Sequence, residues 1–291
     1  YLLQKYFGAD GREEADMLLQ RSSGSDEAPR MLGAFNEETP DWLSFFMFTY
    51  FTDRDGKMQL ESLAQSGFDP LSRTCRFMLT EEAHHMFVGE TGVGRTIQAT
   101  VDAMTAAGIT DPYDTNRIRD LGVIDLPTIQ KKLNLHYSLS LDLFGNEVST
   151  NAANAFNAGI KGRYMEHRLD DDHQLQRDTY DVKMVSEDKI VTEEMPALNA
   201  INMRLRDDYV KDASGGLTRW NKIMKRKNVD FEFRLPHEGF NRNIGVFANV
   251  SVDPTGNIIS PDSWEAQMPE WLPSKADGAF IQSLMKPCYE P

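Results

Sequence analysis

The sequence predicts a mainly helical protein: a four-helix bundle followed by a small mixed and irregular C-terminal appendage. Three observations predict it. Long apolar-periodic segments fill residues 41–176, with Gly and Pro as punctuation. Carboxylates and histidines recur at helical spacing inside those segments. From Val229 the pattern turns β-like, and the last 40 residues hold six of the 13 prolines and two of the four tryptophans, as expected of a wrap over a helical body.

The first 40 residues read as a segment apart, with a short helical pattern from Glu13 to Gln20 and then a polar loop from Arg21 to Asp26. Asp41 is placed to cap a dense apolar helix running to about Ser66, where Gly67-Phe68-Asp69-Pro70 stops it. A second helix runs from about Leu71 to Phe87. Gly89, Gly92 and Gly94 each weaken its continuation, and the pattern resumes from Thr96 to Ala107 before Gly108 and Asp111-Pro112. A third helix is predicted from Leu126 to Ala158 with Gly145 inside it, and a fourth from near Lys161 through Tyr164 to Gln176. Residues 180–195 read as a hairpin or loop, and 197–211 and 217–227 as further helices. Phe231–Arg234 and Ile244–Val252 read as strands, with a turn at Pro254-Thr255-Gly256-Asn257. This divides the chain into 1–40, a segment of a longer protein that begins without methionine; 41–180, the bundle core; 181–228, additional helices; and 229–291, the wrap.

The 291 residues carry 31 Lys plus Arg against 45 Asp plus Glu, a formal charge of −14, and 40% are hydrophobic. That apolar content supports a core and argues against wholesale disorder. The acidic balance without a basic block argues against nucleic-acid or anionic-membrane binding. The densest apolar run, Phe45 to Phe51, is far too short to span a bilayer. Two cysteines, Cys75 and Cys288, make neither a disulfide framework nor a zinc knuckle, and with 14 methionines they suggest a reducing, cytoplasmic setting.

The chemistry lies in the carboxylates and histidines. Glu82-Ala83-His84-His85 places Glu and His three apart, on one helix face, and Asp170-Asp171-Asp172-His173 does the same with Asp. In di-iron and di-manganese bundles two helices each supply a carboxylate-x-x-His pair and two others each supply a single carboxylate. Asp53 shares an angular position with Phe46, Tyr50 and Leu60 and precedes Glu82 by 29 residues; Asp142 precedes Asp170 by 28. The order is carboxylate, carboxylate-x-x-His, carboxylate, carboxylate-x-x-His. Two cations near neutrality need about this many acids and imidazoles to balance charge while leaving positions open.

Each part has a rival. Asp55 competes with Asp53, Glu147 with Asp142, and Glu81/His84 with Glu82/His85. The acidic runs are also what a solvated face looks like, and Asp142 is equally suited to a buried ion pair with an arginine. Asp53-Arg54-Asp55-Gly56-Lys57 has the look of a calcium loop but puts Phe51 and Ser62 where acids are needed. The glycine-rich run Gly89–Arg95 lacks the Lys-Ser/Thr of a phosphate loop and reads as a helix interruption or close helix packing. No G-x-S-x-G elbow occurs. Cys75, His136, His167, His237, Phe77, Met78 and Met86 read as structural, and Glu166, four before Asp170, as an added ligand or an acceptor behind one.

Four stretches together resemble a known family: Thr80–Met86, Phe144–Asn154, Lys161–Tyr164 with Asp171-Asp172-His173, and Leu235–Arg242. They are similar to the oxygenase components of the benzoyl-CoA 2,3-epoxidase family, over most of the chain. The resemblance implies a ferritin-like di-iron monooxygenase of aerobic benzoate degradation. It implies two iron ions in the chain, with NADPH, FAD and an iron–sulfur centre confined to a separate reductase, and benzoyl-CoA and dioxygen as substrates. The family's ligands fall on Glu82, His85, Asp170 and His173, and on Asp142. Asp53 departs from the pattern, because related bundles usually carry glutamate on that helix. For the anionic CoA tail, Arg163, Lys161 or the Lys222–Lys227 cluster are the basic candidates. Two other readings are an iron store or ferroxidase, which the β-like tail disfavours, and a non-enzymatic helical scaffold.

Overall fold

The computed structural model describes residues 2–162, 177–187 and 189–285. Two units are distinguished, residues 1–39 and 40–291. In the first, α1 (Leu2–Gln20) is longer than the pattern predicts and is kinked at Gly8, whose φ of 65° a side chain would resist. The polar loop after it closes on Asn36, whose Oδ1 accepts from the Arg30 amide at 2.8 Å and the Gly24 amide at 3.2 Å.

The second unit is a helical bundle built from α2 (Trp42–Leu63), α3 (Asp69–Ala107), α5 (Leu126–Asp142) and α7 (Ile201–Lys227). The short α4 (Thr115–Asp120) and α6 (Thr150–Asn157) connect them. Helix α2 is central, packing against α3, α5 and α7. It starts where expected, with the Asp41 carboxylate accepting from the Ser44 amide at 2.7 Å. Asp125 caps α5 in the same way through Thr128 at 2.9 Å. The buried core draws Met47, Tyr50 and Phe51 from α2, Val93 and Ile97 from α3, Leu133 and Tyr137 from α5, and Tyr209 and Trp220 from α7. Each such side chain contributes about 1.5–3 kcal/mol by leaving water.

The glycines expected to interrupt the second helix do not. Helix α3 runs unbroken for 39 residues, because Gly89 and Gly92 are where α2 comes closest. A Cβ on Gly89 would sit 2.5 Å from the Tyr50 amide nitrogen, and one on Gly92 would collide with the Phe46 ring. The helix-propensity cost of each glycine, about 1 kcal/mol, is offset by the contact it permits. Gly92→Ala is therefore expected to destabilise the fold by about 1–3 kcal/mol despite alanine's better propensity. Chemical denaturation would show it as a lower midpoint at unchanged slope.

The third predicted helix is also revised. It ends at Asp142; Gly145 takes φ 77°, and the chain restarts as α6 at Thr150, capped by Ser149. The fourth predicted helix lies largely in 163–176, outside the described residues. Among the described residues the fourth long helix is α7, one continuous element where the sequence suggests two.

The expected hairpin is present: β1 (Thr179–Ser186) pairs antiparallel with β2 (Lys189–Pro196). The two predicted strands of the tail are not, and the only pairing described there is the isolated bridge Val252–Ile258. Side chains of the bundle take the backbone groups that a ladder would have used. Asn221 bonds both the amide and the carbonyl of Phe233, and Gln130 does so for Arg234. The Ile244 and Val246 amides donate to Asp142 and Glu147. The predicted turn forms, with Asp253 Oδ1 accepting from the Thr255 and Asn257 amides. Helices α8 (Pro261–Trp271) and α9 (Lys275–Ser283) complete the tail, α8 against α5.

Candidate metal centre

Helices α2 and α3 run antiparallel. Phe46 meets Gly92, Tyr50 meets Gly89, and Gly56 meets the Glu82 carboxylate. Asp53, between Tyr50 and Gly56, must then face the turn of α3 that carries Glu82 and His85. It does. One ligand atom from each of Asp53, Glu82 and His85 lies within 4.8 Å of the others. His85 Nδ1 is 3.5 Å from Asp53 Oδ2 and 3.8 Å from Glu82 Oε2.

Burial dominates the electrostatics of the two acids. Burial, reinforced by the Glu82 charge and opposed by His85, pushes the Asp53 carboxyl up to about 7. Burial raises Glu82 as well, against the pull of His85. Glu82 Oε2 is buried with no hydrogen-bond partner among the described residues, a costly arrangement that a metal ion would relieve. His85 is about half exposed, so the cluster opens to one side. Two carboxylates and an imidazole from facing helices are a donor set that suits iron or manganese. The residues present fit the first half of the predicted centre.

The raised Asp53 pKa has a signed consequence. In the metal-free chain the folded state holds this proton up to about pH 7, whereas the unfolded carboxyl loses it near its ordinary value of 3.8. Folding stability attributable to Asp53 is therefore full at low pH and falls as pH rises from about 4 to about 7. Asp53→Asn, a mimic of the protonated acid, should melt above the metal-free parent at pH 8, with the gain shrinking towards pH 5. Thermal melts across that range check it.

The other predicted site residues are placed as follows. Glu81 and His84 are exposed and lie outside the cluster, whereas Glu82 and His85 are in it. Asp55 is buried on another face of α2, held by Gln59 at 3.4 Å, and burial raises its carboxyl to about 7. Asp142 is not brought to the cluster. Its carboxylate accepts from Arg242 Nε at 2.5 Å and from the Asn243 and Ile244 amides at 3.0 and 3.3 Å. Glu147 is likewise taken by Arg206 at 2.7 Å and the Val246 amide at 2.8 Å. Arg206 and Arg242 with these two acids form a buried set of four whose formal charges cancel. Asp170 and His173, with Arg163, Glu166 and His167, lie outside the described residues.

His136 is fully enclosed, and burial lowers its pKa to about 3, so it stays neutral. His237 Nδ1 accepts from the Gly239 amide at 3.0 Å, a turn contact. Lys161 donates to Gln59 at 3.2 Å, and Lys227 pairs with Asp102 at 2.9 Å, which commits two of the basic candidates. The segment resembling a calcium loop is ordinary α-helix inside α2. Among the described residues no helix is long and apolar enough to cross a membrane. Gly56 lies opposite the Glu82 carboxylate, and a Cβ there would make only an ordinary contact with it, at 3.5 Å.

No protein-family model matches the chain. Over all 291 residues it is 55% identical to benzoyl-CoA oxygenase component B of Aromatoleum evansii, and it spans 61% of that protein's length. The similarity to that protein thus extends along the entire chain, well beyond four short motifs.

Proposed function

We propose that this chain is the metal-bearing part of a ferritin-like di-iron monooxygenase that converts benzoyl-CoA to its 2,3-epoxide in aerobic aromatic degradation, in the cytoplasm. The observation that carries the reading is the convergence of Asp53, Glu82 and His85 around an orphaned carboxylate oxygen. The name of the homologue supports the substrate and the oxygenase class. Asp170 and His173 are the proposed ligands of the second half. A separate NADPH-dependent reductase, carrying FAD and an iron–sulfur centre, is the proposed electron source.

Iron held here would supply activation of dioxygen with those electrons. The remaining work falls to the protein. Asp53 and Glu82 would balance the ion's positive charge, and His85 would add a nitrogen donor. The packed core behind the cluster, with Tyr50 and Phe51 on the same stretch of α2, excludes water from that side. The thioester carbonyl withdraws electrons from the ring, so the ring must be held close and in register with the oxidant. No side chain is needed as a nucleophile.

The test is the purified chain with ferrous iron, a competent reductase, NADPH and benzoyl-CoA under isotopically labelled dioxygen. Mass analysis should find one labelled oxygen atom added to the thioester. Unchanged thioester from protein that holds two irons would overturn the epoxidase reading.

A further inference from the structure

Three residues spaced by four, Met78, Glu82 and Met86, form one stripe along α3. Met78 also precedes His85 by seven residues, two turns on the same face. The Asp53–Glu82–His85 cluster therefore has a thioether one helical turn, about 6 Å of axial rise, to either side of the Glu82 carboxylate. Both thioethers are open to small molecules. Met78 is 43% exposed, Met86 is half-buried, and His85 is about half exposed on the open side of the cluster. By contrast Met47, Met58, Met104 and Met224 of the same bundle are wholly enclosed. Leucine would fill the same volume as methionine. What the thioether adds is a polarizable sulfur that is oxidised readily and reversibly.

We propose that Met78 and Met86 guard the metal centre: they consume hydrogen peroxide released when dioxygen is reduced there without organic substrate, and so spare the imidazole of His85. The assignment rests on the proposed function and adds to it a pair of modification sites. The sulfur lone pair attacks one peroxide oxygen. The S–O bond forms, the O–O bond breaks, and the second oxygen leaves as water with both hydrogens. Sulfur loses two electrons and the peroxide gains them. The product, methionine sulfoxide, is returned to the thioether by sulfoxide reductases, so the guard is renewable. Met78, at the surface, gains its oxygen without creating a buried polar group. Position rather than exposure singles out the pair, because Met17, at 53%, and Met31, at 71%, are more exposed and neither lies on α3.

The test is peptide mass mapping of the iron-loaded chain after stoichiometric hydrogen peroxide without benzoyl-CoA, with fragment ions locating each added oxygen. The iron-free chain treated in the same way is the control. The variants are Met78→Leu with Met86→Leu together, a volume-conserving pair that should match the parent in iron content and melting temperature, and Met78→Leu alone, which leaves the core untouched. In the iron-loaded parent, oxygen should appear at Met78 and Met86 before Met17 and Met31. In the iron-free chain the order should follow exposure. The double variant should gain oxygen at His85, and lose iron, roughly threefold faster than the parent or more, and Met78→Leu should fall between the two. Equal rates of His85 oxidation and iron loss in variants and parent would overturn the guard role even where sulfoxide forms. Oxidation that ranks with exposure in the iron-loaded parent would overturn it too. Either result leaves the oxygenase reading intact, whereas a parent chain that takes up no iron would remove both readings together.

Discussion

Glu82→Ala is expected to leave the chain folded and strip it of iron. The carboxylate is partly buried, shares its site with Asp53 and His85, and has one enclosed oxygen, Oε2, with no hydrogen-bond partner among the described residues. Removing it takes away one negative charge and one ligand, and relieves the strain of an unpaired buried acid. The metal-free variant should accordingly be at least as stable as the metal-free parent, while bound iron falls and oxygenation of benzoyl-CoA drops by a hundredfold or more, about the cost of losing a ligand contact. Paired iron assays and melts test this. Unchanged iron content with lowered stability would mean that Glu82 is structural and the cluster is not a metal centre.

Arg242→Met should do the reverse. The guanidinium holds Asp142 at 2.5 Å, lies 3.5 Å from Glu147 and closes on the carbonyls of Glu238 and Ile244. It is 4% exposed, so its loss leaves two buried acids facing Arg206 alone. Breaking one member of such a set costs about 3–5 kcal/mol, a large share of the stability of a domain of this kind. Urea denaturation should show the loss, and the folded fraction should still bind iron at the Asp53 cluster. Asp142→Asn discriminates further. Lowered stability with full iron content fits a structural ion pair, whereas lost iron at parental stability would make Asp142 a ligand.

The bundle was legible from periodicity and punctuation because helices α2 and α3 obey local rules: an aspartate cap, a Gly-Pro break, an apolar stripe. The Asp53–Glu82–His85 cluster was legible for a related reason. Two antiparallel helices joined by a short turn convert sequence spacing into spatial pairing. Where tertiary partners decide, the sequence was silent. Glycines read as helix breakers are contact points, because propensity does not register what the facing helix needs. The strands expected around Phe233 and Ile244 dissolve into an extended chain whose amides and carbonyls are claimed by Asn221, Gln130, Asp142 and Glu147 from far away in sequence. Asp142 itself fits the spacing of a ligand. Only the return of Arg242 across 100 residues shows that its charge is already matched.

Gly89 and Gly92 also act as a gauge stop. The separation of α2 from α3 at that crossing fixes how far Asp53 stands from Glu82 and His85 two turns away, because both helices are stiff over so short a span. A methyl group added at the crossing, remote from any donor atom, would splay the jaws of the site. On the proposed metal reading, selectivity between a smaller and a larger divalent ion would be tunable from a position outside the donor set.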